Sequence, residues 1–120
     1  MAVVHRTDEL NNDVWEVYLL NMKNVPLEVV LVRSSGYGTV EDRRVETTEL
    51  RRHYPEIPAK SAQLIEPIQE EVFGLTNQYW LSFYLASELQ DKKYVFVPGS
   101  IDKRNFITIP LLNEEGVLIK

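Results

Sequence analysis

The sequence predicts an all-β domain, an immunoglobulin-like antiparallel β-sandwich of about seven to eight strands. Three observations carry that prediction. About seven short apolar runs are separated by turn residues at intervals of roughly 10 to 15 residues, the spacing of a sandwich or barrel. Within the runs, β-branched and aromatic residues dominate and alternate with other side chains at the strand period. No stretch long enough for a packed helix holds a helical apolar period. Nothing in the pattern marks closure, so the sandwich is favoured over the barrel.

Val3 and Val4 open a short first strand, and Asn11-Asn12-Asp13 make a polar turn after it. Residues 14–21 follow as a strand with Trp15, Val17 and Leu19 on one face. Pro26 lies in the next connection, because it cannot donate to a central ladder. Residues 27–32 are then expected to place Leu27, Val29 and Leu31 on one face. Residues 34–39, with Gly36 and Gly38, are the most turn-prone stretch. The charged stretch from Glu41 reads as an exposed edge strand to about Thr48, where charge discourages pairing between molecules.

Pro55 and Pro58 punctuate a connection, and residues 62–68 form a strand ending near Pro67. Residues 70–75 are a bulged or helical link. The strongest strand is 77–85, joined through a polar loop, Ser87 to Lys92, to a partner at 93–98. Residues 106–111 and 117–119 complete the set.

The 120 residues fit a single β-sandwich domain, residues 1–120, large enough to fold without a disulfide or metal. With no cysteine, disulfide scaffolds, thiol catalysis and thiolate metal sites are excluded. The net charge of −5 gives no general attraction to nucleic acid. The N-terminal stretch becomes charged too early for a signal peptide, and no apolar run approaches the ~18 residues of a membrane span. A cytoplasmic location is the expectation, with no membrane partner.

No catalytic constellation is visible, so the chain is not expected to be an enzyme. His5 and His53, the only histidines, stand far apart, and Glu66, Glu70 and Glu71 have no fixed geometry, so no metal site is expected. Ser34, Ser35 and Ser61 lack a nucleophile-elbow context. Gly36 and Gly38 lack the third glycine or lysine of a phosphate loop, so no cofactor is expected.

Two features bear on partners. Arg33, Arg43, Arg44, Arg51 and Arg52 concentrate five of the seven arginines near Tyr37, His53 and Tyr54, a candidate basic patch. Glu41, Asp42, Glu46 and Glu49 lie among them, which favours a salt-bridged edge over a nucleic-acid site. In the run 79–84, if Tyr79, Leu81 and Phe83 face the core, Trp80 and Tyr84 lie opposite as a candidate interaction surface. A covered central strand is the equal alternative.

Five segments together resemble a family of small bacterial proteins whose members often carry the label phenylalanyl-tRNA synthetase alpha subunit. They are residues 15–21, 30–38, 65–68, 79–84 and 91–101. The resemblance covers nearly the whole chain and implies a small domain of unassigned role, with no catalytic residues to carry over. A class II synthetase core needs a much larger sheet with flanking helices and a glycine-rich motif leading into a helix. Here Gly36 and Gly38 lead into charged residues, so aminoacylation is not expected and the label reads as a misnomer. The expected role is a non-catalytic module for protein–protein contact, with another protein or with itself as a homodimer. An RNA- or tRNA-associated accessory role through the Arg33–Tyr54 region is the alternative.

Overall fold

In the computed structural model, which describes residues 1–120, two antiparallel sheets pack as a sandwich, with 62% of residues in strands. The strands are β1 (Ala2–Thr7), β2 (Asp13–Asn21), β3 (Leu27–Val40), β4 (Arg43–Glu46) and β5 (Leu50–Ile57). They continue as β6 (Ser61–Pro67), β7 (Thr76–Leu85), β8 (Glu88–Phe96), β9 (Ile107–Ile109) and β10 (Glu114–Leu118). The first sheet has the order β6-β2-β1-β10-β9. In the second, β3 pairs with both β4 and β5 along one side and with β7 along the other, and β8 forms the far edge. No helix is long and apolar enough to cross a membrane.

Inward residues of both sheets make the main core. Trp15, Val17 and Leu19 of β2 face Val30 and Val32 of β3 and Tyr79, Leu81 and Phe83 of β7, as alternation along β2 and β7 requires. A second, small cluster of Ala2, Val4 and Ile109 lies on the other face of the first sheet. There the half-buried Tyr18, Leu20, Leu112 and Leu118 pack over it. The outer face of the first sheet is thus partly covered by the chain itself.

Asn21 pins the passage between sheets. Its buried amide donates to the carbonyls of Val25, Ile57 and Pro58 at 3.0–3.2 Å, and its oxygen accepts from the Lys23 N–H at 3.1 Å. One side chain therefore satisfies backbone groups of both crossing connections, β2–β3 and β5–β6. On the opposite side, Glu66 of β6 accepts from the Tyr79 hydroxyl at 2.9 Å and the Ser34 hydroxyl at 3.4 Å. Burial first, then the Glu66 charge, pushes the Tyr79 phenol far above its ordinary value, so it remains a donor.

Several local expectations need correction. Leu27, Val29 and Leu31 do not share a face: Leu27 is buried, whereas Val29 is 53% exposed and the inward set becomes Val30, Val32 and Ser34. Register against β7 shifts by one between Glu28 and Leu31, and Val29 sits at φ 49°. Such a bulge sends the following side chains to the other face. Residues 34–39 are no turn but part of the long β3. Gly36 and Gly38 serve close approach, since a Cβ would come within 3.0 Å of Asn77 Oδ1 and Leu75 Cδ2 respectively.

The charged stretch and the residues after it yield two strands, β4 and β5, and the chain has ten strands where seven or eight are expected. Pro55 belongs to the outer strand β5, where a missing N–H is tolerated. Residues 88–92 are strand rather than loop, and the connection shrinks to Ala86-Ser87. Both of these have positive φ, 49° and 69°, as do Glu41 and Asp42 in the β3–β4 hairpin. Two successive left-handed residues are the turn geometry that suits the twist of a hairpin. The link at 70–75 contains one 3-10 turn, Glu70–Val72.

Candidate functional site

The pleat of β7 turns Trp80, Ser82 and Tyr84 away from the core, onto the outer face of the second sheet. Register then fills in their neighbours. Arg51, Arg33, Trp80 and Lys93 form one row across β5, β3, β7 and β8. His53, Leu31, Ser82 and Asp91 form the row beside it. Tyr84 lies opposite Leu89, and both are exposed, at 41% and 58%.

Trp80 is half-buried because two cations lie over its indole. The Arg33 guanidinium is 5.3 Å from the ring centroid and the Lys93 ammonium 4.9 Å. Each such contact contributes about 0.5–1 kcal/mol at an exposed site and fixes the orientation of the ring. A shallow hollow of about 460 Å³ opens over Leu31, Arg33, Trp80, Ser82, Asp91 and Lys93. Lys93 escaped sequence reading, since it lies far along the chain from the arginines. Counting back from a two-residue turn at Ala86-Ser87 would have placed it opposite Trp80.

The five arginines do not make one continuous patch. Arg44 lies opposite Thr39, and Arg51 opposite Arg33, so both lie on the outer face with Arg33. Arg43 and Arg52 alternate to the other side of their strands. The Arg52 charge acts on Tyr54, a half-buried phenol raised above its ordinary value by burial; its hydroxyl donates to the Leu64 carbonyl at 3.2 Å. Arg44 is paired with Glu46 at 2.9 Å and Arg51 with Glu49 at 3.0 Å, both in exposed bridges. Exposed pairs of this kind contribute little to stability but do cancel field.

The carboxylates and histidines are distributed rather than gathered. Glu66 is taken up by Tyr79 and Ser34, and Glu70 accepts from the Trp15 indole N–H at 3.0 Å. His5, on β1, hydrogen-bonds Asp13 at 2.7 Å and lies against Trp15, whereas His53 lies on β5 of the other sheet. No family model, curated protein or solved structure matches the chain. The strand pairing makes the fold a two-sheet antiparallel sandwich, and the immunoglobulin-like assignment is an expectation of the sequence.

Proposed function

We propose that this chain is a non-catalytic β-sandwich module that docks a protein onto the outer face of its second sheet. The observation that carries the reading is Trp80, oriented between Arg33 and Lys93 on a face that nothing in the chain covers. Tryptophan, tyrosine and arginine are the residues on which binding energy concentrates at interfaces. Exposed Val29, Leu31, Tyr84 and Leu89 extend the apolar area around it. Arg44 and Arg51 are ion-paired and the five arginines divide between two faces, which supports protein docking over a phosphate-tracking surface. The partner is a second copy or another protein with a complementary face.

Sedimentation over a wide concentration range, together with affinity capture by immobilised chain, tests this. Trp80→Ala should weaken whichever association is seen by roughly tenfold or more, as loss of a central anchor does. The same substitution should change folding stability by only about 1–2 kcal/mol, the worth of the two cation contacts. A chain that stays monomeric and captures the same proteins with and without Trp80 rejects the reading.

Single-stranded RNA is the second reading, favoured by the same stacked arrangement, because bases stack on aromatics flanked by cations. It agrees with the tRNA-related label of the family that the sequence resembles. A labelled RNA oligonucleotide should then bind with an affinity that falls steeply as salt rises. Absence of binding at low salt removes this alternative.

A further inference from the structure

A second concave feature lies away from the outer face, where the two sheets gape beside β8. The cleft has a volume of about 570 Å³, within the ~300–1,000 Å³ range of small-molecule sites. Leu19, Leu27, Leu81 and Phe83, inward residues of both sheets, form its base. Eleven of its sixteen lining residues are hydrophobic.

Its charged side chains are of one sign. Lys23, Lys92 and Lys120 line it, and no aspartate or glutamate does, in a chain with 18 acidic and 13 basic residues. None of the three lysines is ion-paired. Lys92 lies opposite Leu81 and so points to the inner side of the edge strand β8. The Met1 amine, which donates to the Ile119 carbonyl at 2.9 Å, belongs to the same lining. Burial, and then the Lys92 charge, lowers that amine to about 6, so it adds little positive charge of its own near neutrality. Tyr94 adds a phenol raised by burial, whose hydroxyl bonds no protein group.

We infer that this cleft binds a single-chain amphiphile with an acidic head group, its acyl chain against Leu19, Leu27, Leu81 and Phe83 and its carboxylate among Lys23 and Lys92. An apolar base calls for a hydrocarbon, and the side-chain ammoniums of Lys23 and Lys92, with no aspartate or glutamate in the lining, favour an anion over a cation or a neutral head. Trp80 is not part of its lining, although Leu81 and Lys92 border both hollows, and the inference does not rest on the docking reading.

Dodecanoate, dodecanol and dodecylamine, titrated below micelle formation into the 120-residue chain, separate the contributions. Dodecanoate should bind saturably at one site and raise the melting temperature. Dodecanol and dodecylamine should bind at least about tenfold more weakly, because they lack the charge that the lysines attract. Lys92→Glu and Lys23→Glu, both at exposed positions, should each weaken dodecanoate roughly tenfold while leaving the ligand-free melting temperature in place. Ile107→Glu, at the half-exposed mouth, is an independent block on the chain end of the ligand. Methyl resonances of Leu19, Leu27 and Leu81 should shift, and the Trp80 indole should not. No saturable binding, equal binding of the amine, indifference to both lysine reversals, or shifts centred on Trp80 would each overturn the inference.

Discussion

Phe96→Ala should lower the unfolding free energy by about 3–5 kcal/mol. Phe96 is fully buried at the end of β8, in the main core. Its ring meets the Tyr79 ring edge-on, with centroids 6.1 Å apart. Truncation removes both the transfer free energy of the ring and the contacts of its neighbours, leaving a cavity that two sheets cannot easily close. Against a typical total of about 5–15 kcal/mol, this is a large fraction. Urea unfolding followed by tryptophan fluorescence should show an earlier midpoint with an unchanged slope. A loss under about 1 kcal/mol would mean that the sheets pack differently around Phe96.

Gly116→Ala is the second large effect, expected to cost about 1–3 kcal/mol or more, by overpacking. Gly116 lies opposite Val4 where β10 pairs with β1. A Cβ there would overlap the Val3 carbonyl oxygen and stand 3.0 Å from the Val4 Cα. Both obstacles are backbone, so no side chain can swing aside, and the central pairing of the first sheet must open. Gly74→Ala is the matched control, since nothing lies within 4 Å of its would-be Cβ. That change should be neutral or stabilise by about 0.4–1 kcal/mol through the unfolded state. Equal midpoints for the two variants would contradict the close approach of β1 and β10.

Alternation made parts of this architecture readable in advance. In β2 and β7 the pleat groups Trp15, Val17 and Leu19, and Tyr79, Leu81 and Phe83, each on one face, and the structure turns both sets inward. Trp80 and Tyr84 share the opposite face by the same pleat. The face of β3 was not readable, because residues 27–32 are nearly all apolar and allow either choice. A bulge at Val29 made that choice, and a β-branched residue at φ 49° carries no local signal for it. The hairpin turns were hidden for a similar reason. Glu41-Asp42 and Ala86-Ser87 adopt successive positive φ values without the Asn-Gly or Asp-Gly pair that normally announces them.

The glycines at 36 and 38 show how one residue type answers two demands. Locally they permit a turn, and taken alone they read as one. In the folded chain they leave room for Asn77 and Leu75 to approach β3, a demand set by segments some forty residues away.

What the sequence by itself determined is the all-β class, the two-sheet layering and the inward faces of its regularly alternating strands. Those depend on periodicity and burial, which are properties of neighbouring residues. What only the tertiary structure decided is the candidate surface: which cations flank Trp80, which arginines part company, and where the sheets open into a lysine-rimmed cleft. Each depends on register between strands distant in sequence. Turns and bulges set that register, and shifting it by one residue moves every side chain to the opposite face.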